Sequence, residues 1–436
     1  MLFDFFKPAP PAPRIQDTQQ VNRLYRQWRF RILCSTLIGY ALFYFVRKNI
    51  SCALPAMEHD LGLTKASLGL FLTLHGVLYG ISKFANGFLG DRANVRYFMP
   101  AGLILSAVMN FGFGMSGTAV AFGLFWLANG WFQGMGFPPC ARALTHWFSP
   151  RERGLKFAVW NTSHSVGAAL VLVLCGYLAP INWRLAFFVP AGLAVICAGF
   201  LLWRLRDTPA SMGLPPVEEY AGDKPEHPDG DKESGFGPFV RRYVFGNPMI
   251  WVVAIANFFI YTVRYSFLDW GPTFLNQTRH VEIPAAGWML FAYEVSGIIG
   301  MLISGWVTDR VFGGRGARVC FISMVCCAAC VSAFWKLDSR SALVNAALLC
   351  GTGLFVYGPQ ALVGVIAANL ATRRAAATAI GLTGLFAYMS SVLSGWGIGM
   401  MVDKCGWQPA FALFVASALI AAVLFAVAWN AYRPAR

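Results

Sequence analysis

The chain has 436 residues, of which 57% are hydrophobic and only 13% charged, with a mean hydropathy of +0.54 and a net charge of +15. Soluble domains run at roughly 45–50% apolar and about 25% charged, so polar residues are too few here to coat a water-facing surface. An aromatic content of 15% excludes a disordered chain, and long unbroken apolar runs exclude the alternating pattern of a membrane β-barrel. The composition reads as an all-α membrane protein with many spans.

Residues 1–31 are polar and proline-rich, show no cleavable leader, and form an expected cytoplasmic segment. A crossing helix needs about 20 mostly apolar residues. On that criterion twelve spans are predicted, near 32–54, 66–89, 97–117, 119–140, 155–179, 184–203, 248–271, 285–308, 317–336, 341–371, 376–402 and 408–430. The first six make an N-terminal half (32–203) and the last six a C-terminal half (248–430), with 431–436 as a tail. Between the halves, 204–247 carries Pro215-Pro216, Gly222-Asp223-Lys224-Pro225-Glu226 and Asp229-Gly230-Asp231-Lys232-Glu233. Such a composition is not expected to build a core and reads as a linker.

The distribution of basic residues orients this layout. The termini and the loops after even-numbered spans hold 25 of the 35 Lys and Arg, the loops after odd-numbered spans 6, and the remaining four lie within spans. Positive residues favour the cytoplasmic side, so both termini and the linker are expected there. The same placement explains the charge without a nucleic-acid partner. Most of the eleven cysteines lie in apolar stretches, and the lone pair Cys327 and Cys330 has no second pair or nearby histidine, so no metal or cofactor is expected.

The two halves echo each other. Gly87-Phe88-Leu89-Gly90-Asp91-Arg92 returns as Gly305-Trp306-Val307-Thr308-Asp309-Arg310, an offset of 218 residues. Tyr44-Phe45-Val46-Arg47 returns as Tyr261-Thr262-Val263-Arg264, an offset of 217. Agreement of the offsets to one residue indicates a duplication of six helices. Parallel halves of this kind, with a substrate site near the midplane, are the plan of the major facilitator superfamily. The sequence resembles that superfamily in its Gly-x-x-x-Asp-Arg loops, where Asp91, Arg92 and Arg96, and again Asp309, Arg310 and Arg315, match residues that brace the cytoplasmic helix ends during rocking.

Charges within the spans call for a reason, since each costs at least ~2.5–3.5 kcal/mol at the bilayer centre. The cations are Arg47, Lys48, Lys83 and Arg264, against only two nearby acids, Asp269 and Glu294. Arg47 and Arg264 each lie about fifteen residues into their span, roughly 23 Å along the helix. A duplication axis would set the two guanidiniums at similar depth, facing across a cleft. A guanidinium fork matches phosphate or carboxylate bidentately, and two forks suit a dianion. Snorkelling of Arg47 and Lys48, with Arg264 paired to Asp269, is the bland alternative. His164 follows Asn161, Thr162 and Ser163; histidine is the side chain type suited to changing charge near physiological pH, and this one either tunes the site or is a neutral core histidine; His75 reads as structural. Tyr40, Tyr44, Tyr79, Tyr261, Tyr357 and Tyr388 lie inside spans, and Tyr44 and Tyr261 each precede their arginine by three residues. No phosphate-binding Gly-x-x-x-x-Gly-Lys-Ser/Thr loop and no hydrolase motif is present, so an ATP-driven pump or an enzyme is not expected.

With these residues in place, the sequence resembles the organophosphate:phosphate antiporters of that superfamily, which carry glycerol 3-phosphate, hexose 6-phosphates or phosphoglycerates. The resemblance covers nearly the whole chain and rests on residues 39–49, 79–84, 91–99, 130–140, 160–164, 261–264, 357–359 and 384–388. It implies that Arg47 and Arg264 bind phosphate, that His164 contributes, and that Lys48 and Lys83 influence the site. It also implies exchange of an imported organophosphate for inorganic phosphate by rocking of the halves, in a bacterial inner membrane, by a monomer. There are departures: Ser165-Val166-Gly167-Ala168 replaces the usual Asn-x-Gly-Gly, and the span 376–402 carries no charge. Residues 25–29 and 203–209 are similar to the hexose-phosphate sensor branch, whose members signal to a kinase partner.

Overall fold

The computed structural model describes residues 7–222, 241–337, 339, 341–371 and 376–431, with backbone alone at 84, 88, 91, 150, 151, 376 and 377. Among them are seventeen α-helices and no strand. These are α1 (Thr18–Lys48), α2 (Ile50–Leu61), α3 (Lys65–Asp91), α4 (Val95–Met115), α5 (Ala119–Gln133), α6 (Phe137–Trp147), α7 (Pro150–Asn161), α8 (Ser163–Leu178), α9 (Leu185–Arg204) and α10 (Val217–Ala221). There follow α11 (Pro248–Arg279), α12 (Ile283–Arg310), α13 (Gly316–Lys336), α14 (Ala342–Leu370), α15 (Ala376–Met389), α16 (Ile398–Cys405) and α17 (Trp407–Val427). A π-helical stretch, Val392–Gly397, joins α15 to α16.

Among the described residues, eleven helical segments are long and apolar enough to cross a membrane. The remaining predicted span, 119–140, is interrupted at Gly134–Gly136 and divided between α5 and α6, because Pro138 and Pro139 cannot donate to the preceding turn. Helix starts follow ordinary capping chemistry. Asp17 and Asn94 accept from Gln19 N and Arg96 N, and Asn247 does the same ahead of Pro248. Ser149 and Glu152 form a capping box on α7.

Contacts divide the chain into two compact units, 1–49 with 81–171 and 184–228, and 50–80 with 172–183 and 229–436. This division differs from the sequence halves at 50–80 and 172–183, and backbone proximity is the reason. A Cβ on Gly287 of α12 would sit 2.7 Å from the Leu172 carbonyl oxygen, and one on Gly395 2.7 Å from that of Gly69. Asp403 caps α3 from a distant part of the chain, accepting from Lys65 N (3.1 Å) and Ala66 N (2.7 Å). Without a hydrophobic drive between helices in lipid, such close small-residue packing holds a bundle together.

The first unit corrects the linker reading over 205–222. Leu205, Leu214 and Val217 are buried there against Trp28, Tyr25 and Trp147. Tyr25 stacks on Tyr220 at 3.9 Å and donates its hydroxyl hydrogen to the Pro215 carbonyl. The proline-rich arm is docked alongside: Ala9 N donates to Asp207 Oδ2 (3.0 Å), Ala12 N to Ala210 O (2.9 Å) and Ile15 N to Gly213 O (2.9 Å). Prolines at 8, 10, 11 and 13 have no N–H, and the donors used, at 9, 12 and 15, recur every third residue, the repeat of a polyproline II helix. They fall on one face, and that face is used.

Candidate functional site

In the first unit, Arg47 is placed by a defect in its own helix. Val46 leaves helical geometry (φ −96°, ψ 18°), which frees its carbonyl from the backbone ladder. Two side-chain amides take that carbonyl, Asn110 Nδ2 at 2.9 Å and Asn129 Nδ2 at 2.8 Å. Asn49 extends the network to Asn110 Oδ1 (2.9 Å) and the Ala186 carbonyl (2.8 Å), and Gln133 Nε2 donates to Phe43 O (3.1 Å). A freed backbone group in lipid is costly unless satisfied in this way. The result fixes Arg47 (6% exposed) and Lys48 (5%) at the end of α1.

Around Arg47 the predicted aromatics assemble. Its guanidinium lies 5.3 Å from the Tyr44 ring centre, within cation–π range. Tyr44 is 5.8 Å from the His164 ring and 5.8 Å from Tyr40, which packs on Trp160 at 4.8 Å. His164 Nδ1 donates to the Asn161 carbonyl, so Asn161 takes part through its backbone and the ring's Nδ1 carries hydrogen. Lys83 lies over Phe137, with Nζ 4.1 Å from the ring centre.

In the second unit, Arg264 is 2% exposed and sits among three tyrosines, 4.5 Å from the Tyr357 ring and 5.8 Å from both Tyr261 and Tyr265. The Tyr357 hydroxyl donates to Glu294 Oε1 at 2.5 Å, and both side chains are fully buried. Gly297 makes room for this ring, since a Cβ there would stand 2.7 Å from Tyr357 Cγ. Tyr388 closes the other side, 6.4 Å from Tyr261 and 4.8 Å from Tyr79. Two helical turns before Arg264, Asn257 Nδ2 ties α11 to the Thr383 carbonyl (2.9 Å).

Each unit therefore carries a buried arginine three residues after a tyrosine, with the ring within 6 Å. Sequence reading missed the amides that set the kink, Asn49, Asn110, Asn129 and Gln133, and the partners Tyr265, Gly297 and Tyr293, whose ring meets Tyr357 edge-on at 5.7 Å. It noted Glu294 only as a charge. Carboxamides inside apolar spans were the signal available. Of the gating set, Arg96 Nε donates to Leu202 O (2.9 Å) and ties the start of α4 to the end of α9. Arg92, Asp309 and Arg310 are exposed at helix ends, and the Asp91 side chain lies outside the described residues.

Residues 36–395 match the model of the Major Facilitator Superfamily. The chain is 40% identical to a probable hexose phosphate transport protein of Chlamydia pneumoniae, over 98% of this chain and 97% of that one. It is 39% identical to the membrane sensor protein UhpC of Salmonella typhimurium, over 99% of both chains. It is 37% identical to the glycerol-3-phosphate transporter of Bacillus subtilis, over 98% of both. In fold it matches the crystal structure of a bacterial homolog of the human lysosomal transporter Spinster (TM-score 0.76, 16% identity, 94% of this chain and 99% of that one). The chain belongs to the Major Facilitator Superfamily, within the group these relatives form.

Proposed function

We propose that the protein is a secondary antiporter that imports a phosphorylated C3 or C6 compound, hexose 6-phosphate or glycerol 3-phosphate ahead of phosphoglycerate, in exchange for inorganic phosphate. One observation carries the reading: a buried guanidinium on a tyrosine ring occurs in each unit, at repeat-related positions Arg47 and Arg264. Each fork offers parallel N–H donors to phosphoryl oxygens. Tyr44, Tyr261 and Tyr388, with Tyr40 and Tyr79 behind them, supply hydroxyls and ring faces to the phosphate or the organic moiety, while Tyr357, whose hydroxyl hydrogen goes to Glu294, supplies its ring face. His164, Asn161, Lys48 and Lys83 complete the set, and Glu294 holds Tyr357 in place.

The same charges give a reason for exchange rather than one-way flow. Two arginine charges inside the membrane cost about 5–7 kcal/mol on the lenient insertion scale, of which their partners within the protein offset a part. A bound dianion offsets that cost in both directions, whether it is inorganic phosphate or an organophosphate. Asp91, Arg92, Arg96, Asp309 and Arg310 brace the helix ends as the 32–203 and 248–430 halves rock, with both termini cytoplasmic in a bacterial inner membrane. The transporting species is a monomer.

The test is purified protein in liposomes loaded with labelled inorganic phosphate, with glycerol 3-phosphate, glucose 6-phosphate or 3-phosphoglycerate outside. Efflux stimulated by one of them supports the antiporter and names its class. The likeness to UhpC favours one other reading, a transporter-like sensor of external hexose phosphate with a kinase partner. Under that reading no compound drives efflux, yet one raises the melting temperature.

A further inference from the structure

A second basic cluster in the first unit lies away from Arg47, at the end of the bundle where α1 enters its apolar stretch. Arg31 of α1 and Arg206, two residues past α9, both point at Trp28, with guanidinium carbons 5.1 Å and 5.0 Å from its ring centre. Two cations over one indole are thereby held within about 10 Å of each other. Arg96, on the first turn of α4, joins them. Its Nε is pinned to Leu202 O, while Arg206 Nη1 is pinned to the carbonyls of Trp203 (3.2 Å) and Leu205 (2.7 Å). The carbonyl end of α9 thus orients two of the three side chains and leaves most of their N–H groups for another partner. Among the described residues none of the three arginines forms an ion pair. Arg206 is held below the ordinary arginine range, first by burial and then by Arg96, with Arg31 also contributing.

The surroundings identify the partner's chemistry. Phe30 and Trp203, which flank the cluster in sequence, are 67% and 66% exposed. Exposed Ile38, Val108 and Ile196 continue an apolar surface along α1, α4 and α9. Aromatic rings beside arginines at the end of an apolar surface mark the membrane interface. Guanidinium forks select phosphate oxygens, and basic pockets between helices at that depth take anionic headgroups. We infer that Arg31, Arg96 and Arg206 form a binding site for the phosphate headgroup of an anionic phospholipid, whose acyl chains lie along the exposed apolar faces of these helices.

The inference does not depend on transport, and its readout is separate. Full-length protein in detergent is titrated with phosphatidylglycerol, phosphatidylcholine or soluble glycerophosphoglycerol, and occupancy is followed by native mass spectrometry. Arg31→Gln/Arg206→Gln is compared with Arg23→Gln/Arg26→Gln, which removes the same charge from exposed positions of α1. Each cluster arginine is expected to contribute about fivefold in affinity, so the first pair weakens phosphatidylglycerol binding about 25-fold. The second pair changes it less than threefold, and phosphatidylcholine binds poorly to all three proteins. Should the double variant misfold, Arg31→Gln alone is read for its fivefold loss. Equal weakening by the two pairs, or none by the first, overturns the site. Binding of the soluble headgroup as strong as that of the lipid overturns the lipid assignment.

Discussion

Replacing Arg264 by lysine isolates the fork from the charge. The guanidinium is 2% exposed and fills a space bounded by Tyr357 at 4.5 Å and by Tyr261 and Tyr265 at 5.8 Å. Lysine keeps the positive charge at the same helical position, so helix insertion and long-range attraction for an anion persist. Under the proposed clamp, what is lost is the second parallel N–H···O contact to phosphate, together with the guanidinium's cation–π contact with Tyr357. A hydrogen bond to a charged group contributes about 1.5–3 kcal/mol, which corresponds to about a 10- to 150-fold loss of affinity. The assay is homologous exchange of labelled inorganic phosphate in proteoliposomes, with reconstituted protein quantified. KM is expected to rise by that factor, and Arg264→Gln is expected to abolish exchange. A lysine variant with KM and maximal rate within twofold of wild type refutes the phosphate-clamp reasoning.

Three further outcomes follow from other parts of the structure. Asn110→Ala removes one amide from the Val46 carbonyl and the link to Asn49, and is expected to lower stability by about 1–3 kcal/mol and raise KM for phosphate; an unchanged melting temperature counts against the kink network. Tyr357→Phe deletes the donor to the buried Glu294 carboxylate, and exchange is expected to fall about tenfold, with Glu294→Gln restoring part of it; a rate equal to wild type removes Glu294 from the site. Asp207→Asn weakens a carboxylate that accepts from Ala9 N, Val95 N (3.2 Å) and Arg142 Nη2 (3.4 Å). It is expected to cost about 1–2 kcal/mol and to speed tryptic cleavage at Arg14, while unaltered cleavage speaks against the docked arm.

What the chain determined by composition was its class: apolar runs of about 20 residues leave a bilayer helix as the only economical backbone solution. The Tyr-x-x-Arg repeat likewise located Arg47 and Arg264 before any coordinate, because a charge in such a run needs a purpose. Three things were decided only by tertiary structure. The break at Val46 depends on amides from α4 and α5, more than sixty residues away, so no local propensity announces it. The burial of 205–222 depends on a surface supplied by α1 and α6, which converts a linker-like composition into packed structure. The grouping of 50–80 with the later helices depends on glycines whose spacing is unremarkable in sequence. Their need for glycine arises only when another backbone lies within 3 Å of the missing Cβ. Periodicity and charge are properties of one helix, and close approach is a property of two.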